Sequence, residues 1–223
     1  MKEYIKQKNL TPGNMFSVSG IAVVVKDELN YEMNLSDLTD LLENFPDYLK
    51  SGIDYIIFMK SETMGRRGVA AVYSDDIIYV ASDQTNNQNV LDDIVHEIGH
   101  HVETRYGDYL YGDGVLEKEF LQKRKLLSKE FEKEGYKIRD DIMMNSNYSE
   151  LLDSFFHEKI GYPKMTPIVQ GIFYSPYGAT SLNEYFANGF EAFFYHKDLY
   201  LKKVSPKLFE KLENLKMEKR NEF

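Results

Sequence analysis

The chain has 223 residues, enough for a well-formed core, and a net charge of −9, which argues against a nucleic-acid-binding face because phosphate contacts need concentrated Lys and Arg. A hydrophobic fraction of 43%, with 17 Tyr and 14 Phe, supplies a globular interior and excludes disorder along the whole length. Because there is no cysteine, disulfides, thiolate metal ligands and cysteine nucleophiles are excluded.

Residues 1–14 are polar and read as a flexible leader ending at the turn signal Pro12-Gly13. They lack the apolar core of a secretory signal, so the expected location as written is the cytosol, or outside the cell if a leader has been removed. Residues 18–25 are rich in β-branched side chains and predict one strand. An amphipathic helix opens at Asn34 or Ser36 and runs to about Phe45, before Pro46. A second strand is expected over 54–59, then a loop containing Gly65-Arg66-Arg67-Gly68, then strands 69–73 and 77–81 joined as a hairpin through Ser74-Asp75-Asp76. The polar run 83–89 delivers the chain into another helix, with an Asn as its N-cap.

That helix carries His96-Glu97-Ile98-Gly99-His100, an H-E-x-x-H signature. At about 100° per residue, His100, Glu103 and Asp92 fall within roughly 40° of His96, whereas Leu91, Ile94, Val95, Ile98 and Val102 form the opposite, apolar face. Two histidines four apart on one face can share a metal ion, expected to be zinc, and Glu97 at the edge of that face can take a proton from an activated water. The bland reading is an amphipathic helix with two incidental histidines.

Beyond it, Gly107, Gly112 and Gly114, with tyrosines among them, predict a loop. Leu116, Phe120, Leu127 and Phe131 form the stripe of a further helix, on which Lys123-Arg124-Lys125 reads as a solvated face. Residues 149–160 predict a short helix stopped by Gly161 and Pro163, and its His157 is taken as structural. Residues 168–175 read as extended, ending at Pro176-Tyr177-Gly178; helices follow over 181–196 and from Ser205 onward.

A catalytic zinc needs three protein ligands and an open position. Position 106 is Tyr, which excludes a metzincin third histidine, so a carboxylate is required. The helix 181–196 offers Glu184 and Glu191 on a narrow polar stripe that also holds Asn188. Ser181-Leu182-Asn183-Glu184 also fits a capping box, which would keep the Glu184 carboxylate local.

H-E-x-x-H, Tyr177-Gly178 and Asn183-Glu184-Tyr185-Phe186-Ala187 ahead of Phe190 together resemble the anthrax lethal factor catalytic domain and the clostridial Pro-Pro endopeptidases, where a tyrosine lies seven positions before the zinc-binding glutamate. The resemblance implies one zinc per chain on His96, His100 and Glu184, Glu97 as general base and Tyr177 as donor to the reacting oxygen. Asn188 stands where lethal factor has an acid. The implied fold is a single α+β zincin-like domain over 1–223, with a mixed sheet, an active-site helix and a helical carboxyl-terminal half. The expected activity is that of a zinc endopeptidase, toxin-like in kind, acting on a protein or peptide, with neither a nucleic-acid partner nor a membrane span. The alternatives are a repressor-cleaving metallopeptidase of a mobile element and a zinc-stabilised binding module.

Overall fold

The computed structural model describes residues 10–63 and 70–218. Most of the leader, the Gly65 to Gly68 loop and Val69 lie outside the described residues. The fold is α+β, with a mixed five-stranded sheet and a helical carboxyl-terminal half, and the chain divides into two units, Met1–Val102 and Glu103–Phe223.

In the first unit the sheet order is β1 (Met15–Val18), β2 (Ile21–Val25), β3 (Tyr55–Met59), β5 (Ile77–Ala81), β4 (Ala71–Ser74). The central strands β2, β3 and β5 run parallel, and each edge strand pairs antiparallel with its neighbour. β3 buries three consecutive side chains, Ile56, Ile57 and Phe58, as expected of a strand covered on both faces. The single strand expected over 18–25 is instead a hairpin. Ser19 and Gly20 both adopt positive φ, 51° and 86°, the geometry of a two-residue turn whose twist matches the flanking strands. Asp75 and Asp76 make the corresponding turn between β4 and β5 with φ of 51° and 61°.

Between β2 and β3 lie α1 (Leu35–Asn44) and the short α2 (Asp47–Lys50). Asn34 caps α1 through a reciprocal capping box with Asp37, and Leu35, Leu38, Leu41 and Leu42 face the core. The unit ends within α3 (Asn87–Tyr111), whose first turn is capped by Asn86 Oδ1 accepting from Asn89 N at 2.9 Å. The loop expected at Gly107 is absent. The helix continues through it to Tyr111 with a local distortion at Tyr106 (φ −118°), and the turn begins only at Gly112.

The second unit contains α4 (Val115–Lys133), α5 (Asp140–Met143), α6 (Glu150–Ser154), a π-helical turn (Phe155–Ile160), α7 (Tyr162–Val169), α8 (Leu182–Phe194), α9 (Tyr200–Val204) and α10 (Pro206–Glu218). Of residues 168–175, expected to be extended, Ile168 and Val169 end α7, which carries Pro163 in its first turn where the missing N–H costs nothing, and 170–175 form turns and bends with no strand. Aromatic side chains fill the core: Phe120 meets Phe173 and Tyr185, Phe131 meets Phe155 and Phe156, and Phe186 meets Phe190. Gly189 lets α8 approach α10, since a Cβ there would lie 2.2 Å from Leu208 Cδ2. The buried carboxylate of Glu119 accepts from Tyr185 Oη and from Lys207 N and Leu208 N, closing the amino end of α10.

The basic cluster on α4 requires a correction. Lys125 is exposed, but Lys123 and Arg124 are buried. Lys123 Nζ donates to the carbonyls of Ile172 and Val204; Arg124 donates to Met143 O at 3.0 Å and Thr180 O at 2.8 Å. Long cationic side chains reach main-chain carbonyls that helices and turns leave unpaired, so burial is tolerated. It nevertheless pushes Lys123 down to about 8 and Arg124 down to about 9. Among the described residues, no helix is long and apolar enough to cross a membrane.

Candidate functional site

Helix α3 presents its apolar face to the first unit's core, where Val90, Ile94, Val95, Ile98 and Val102 are fully buried. This leaves His96 and His100, both half-buried, on the other side. Their ring centroids are 5.0 Å apart at an interplanar angle of 79°. Tetrahedral ligation by two imidazoles through bonds of about 2.0–2.1 Å sets ring centres roughly 5 Å apart, so the pair fits one ion.

Glu97 is buried, and its Oε2 accepts from the backbone N–H of Tyr73 at 2.7 Å. The phase of the hairpin explains why that N–H is available. Ser74 and Ile77 close a two-residue turn as a bonded pair, so Tyr73, opposite Ile78, is in the non-bonded position and directs its amide to the open edge of the sheet. The sequence places Glu97 beside the motif; that a strand amide orients it emerges only from the fold.

His101 was missed by the motif reading. It is fully buried, with Nε2 3.0 Å from Ser51 O and Nδ1 3.0 Å from Tyr73 Oη. A carbonyl can only accept, so Nε2 carries a hydrogen. Tyr73 Oη also donates to Asp76 Oδ1 at 2.9 Å. Tyr73 therefore meets the motif helix twice, through its amide and through its ring. The sequence did hold a signal: His101 falls about 140° from His96, next to the apolar face.

In the second unit, Glu184 is half-buried in the first turn of α8. Ser181 caps that helix, its Oγ accepting from Glu184 N at 3.1 Å, so the capping contact uses the backbone of Glu184. The neighbouring Asn183 donates to Glu103 Oε1 at 3.0 Å, and Glu103 also accepts from Tyr111 Oη. Glu191, the alternative carboxylate, has Oε1 3.0 Å from His196 Nε2.

Tyr177 opens a single 3-10 turn, Tyr177–Ala179, and is 40% exposed. It does not pack in the core alongside Tyr174, whose hydroxyl donates to Asp198 Oδ2. The Tyr177 ring meets the edge of Tyr162 at 6.4 Å. Burial, with added repulsion from the Asp153 and Glu184 carboxylates, holds the Tyr162 phenol far above its usual range, so it remains a donor. Asn188 Oδ1 accepts from Ser175 Oγ at 2.8 Å, and Ser175 Oγ accepts from Gly178 N at 3.3 Å. His157 is exposed and touches Tyr162 edge-on at 5.5 Å.

No family model, curated protein or solved structure matches the chain.

Proposed function

We propose that the chain is a zinc-dependent endopeptidase with a zincin-like fold, similar in its site to the lethal factor catalytic domain and the Pro-Pro endopeptidases. The observation that carries this reading is on α3: two imidazoles 5.0 Å apart on one face, with the adjacent Glu97 held by a strand amide. The ion would be held by His96 and His100 of α3 and, as the resemblance implies, by Glu184 of α8. Nitrogen and oxygen donors without sulfur suit zinc. When bound, zinc would polarise the scissile carbonyl and acidify the attacking water.

The chain's own groups do the rest. Glu97, with Oε2 held by Tyr73, takes the water's proton and passes it to the leaving amine. Tyr177, solvent-accessible and on a turn anchored at both ends, donates its phenolic hydrogen to the oxyanion that develops on the substrate. Asn188 acts on that turn through Ser175.

Metal analysis of the purified protein, paired with peptide-library cleavage before and after chelation, tests the proposal. About one zinc per chain and cleavage lost on chelation are expected. Zinc without cleavage would favour the zinc-stabilised binding module, and neither zinc nor cleavage would overturn the reading.

A further inference from the structure

The segment 175–181 carries Tyr177 and leads into the helix of Glu184, and very little regular structure supports it. Its internal bonds are those of one turn: Gly178 N to Ser175 Oγ at 3.3 Å, Ala179 N to Pro176 O at 3.1 Å, Thr180 N to Tyr177 O at 3.0 Å and Thr180 Oγ1 to Tyr177 O at 2.7 Å. Its fixed point lies elsewhere in the unit. Thr180 and Ser181 are buried, and the Thr180 carbonyl accepts from Arg124 Nη2 at 2.8 Å.

Arg124 is fully enclosed, with its guanidinium 4.8 Å from the centre of the Phe120 ring. Among the described residues, its hydrogen bonds go to two main-chain carbonyls, Met143 O and Thr180 O, and to the Met143 sulfur at 4.0 Å, and Nε has no partner. A buried cation met by carbonyl dipoles and aromatic faces, with no carboxylate hydrogen-bonded to it, is costly, and an apolar side chain of similar length would fill the same space without that cost. What the guanidinium adds is a rigid planar fork joining two segments that are far apart in sequence. The second segment has its own link to the site, because Leu182 N donates to Ser146 O at 2.8 Å.

We propose that Arg124 is a positioning residue: by fixing the Thr180 carbonyl it sets the direction of Tyr177, three residues back, and the start of the helix that carries Glu184, four residues on. The proposal rests on the peptidase reading for its catalytic consequence but not for its structural claim. Gly178 completes the device from the other side. A Cβ there would stand 3.0 Å from Asn188 Oδ1, so the turn sits directly on α8 one helical turn after Glu184.

Two variants test it in the full-length protein. Arg124→Met keeps the volume and removes the fork; Arg124→Lys keeps the charge but offers one ammonium where two carbonyls are held. Amide exchange over 175–184 should accelerate at least about 10-fold in Arg124→Met while the core of α4 changes little, with Arg124→Lys in between. Unchanged exchange there would overturn the clamp, whatever the activity. In zinc-loaded protein, kcat should fall about 10- to 100-fold at nearly constant KM, because a small misplacement of a transition-state donor costs rate rather than binding. Adding Tyr177→Phe should then cost little more. Wild-type kcat in Arg124→Met, or losses that simply multiply, would remove the positioning role. Failure of both variants to fold would assign Arg124 to folding alone. A wild-type protein that binds no metal and cleaves nothing sinks the peptidase reading, while the exchange measurement still decides the clamp.

Discussion

The Tyr73 amide donates to Glu97 Oε2 at 2.7 Å, so the proposed general base is also the cap on an outward-facing strand N–H. The two conservative replacements of Glu97 should therefore differ. Glu97→Gln retains an acceptor for Tyr73 and should preserve both fold and zinc while cleavage falls by about 10²- to 10⁴-fold. Glu97→Ala should lose the same activity and, in addition, about 1 kcal/mol of stability, because the part-buried Tyr73 N–H loses the carboxylate it donates to. Urea denaturation of both variants, alongside turnover, checks this; equal stabilities would show that the amide finds another partner.

Tyr177→Phe separates chemistry from packing. The ring is 40% exposed and its turn is tied by backbone and neighbouring side chains, so the melting temperature should stay within a degree or two of wild type. Loss of an oxyanion donor should lower kcat about 10²- to 10³-fold with little change in KM. Steady-state kinetics showing wild-type kcat would take Tyr177 out of the mechanism.

The choice of third ligand is decided by metal content. Glu184→Ala should abolish tight zinc binding, whereas Glu191→Ala, whose carboxylate sits against His196, should leave zinc in place. Ser181→Ala should cost about 1 kcal/mol through the lost cap and keep the metal. Zinc retained in Glu184→Ala and lost in Glu191→Ala would reverse the assignment.

Lys123 should leave a mark on the pH dependence of stability. Burial depresses its folded-state value from 10.5 to about 8, although nearby Glu119 opposes this. Below pH 8 both states are protonated and the folded chain carries the full penalty of a buried charge. Between pH 8 and 10.5 the folded state gives up its proton first, so stability rises across that window. The difference in unfolding free energy between wild type and Lys123→Met should shift toward wild type by about 3 kcal/mol from pH 7 to 10.5. A flat difference would mean that Ile172 O and Val204 O hold the ammonium charged throughout.

Residues with a strong period or a fixed spacing were legible in the sequence: the leucine face of α1, the motif helix with His96 and His100 on one side, and the Ser181 cap before Glu184. The hairpin at Ser19-Gly20 was not, because an unbroken run of β-branched residues hides a turn made by two small ones. Arg124 illustrates a different failure. It stands four residues after Phe120 and three before Leu127, squarely within the apolar stripe, yet its charge suggested solvent. Periodicity outweighed polarity there because the cation found carbonyls to serve. The hold of Tyr73 on Glu97 could not be read at all, since the hydrogen-bonding phase of a strand edge depends on where its turn closes.

The order of strands also dictates an order of events. Both edge ribbons, β1–β2 and β4–β5, close through two-residue turns and can form within about 1–10 μs as isolated hairpins. β3 has no such local partner: it joins β2 and β5 in parallel, across intervening chain that must first be brought back on itself. The most deeply buried strand is thus expected to dock last, filling a slot between two ribbons already made. Pulse-labelled amide exchange should find β5 protected against β4 before β3 is protected, and simultaneous protection would contradict that order. Until Ile56 and Phe58 arrive, the ribbons expose unpaired inner edges, which makes this intermediate the species most prone to self-association at high concentration.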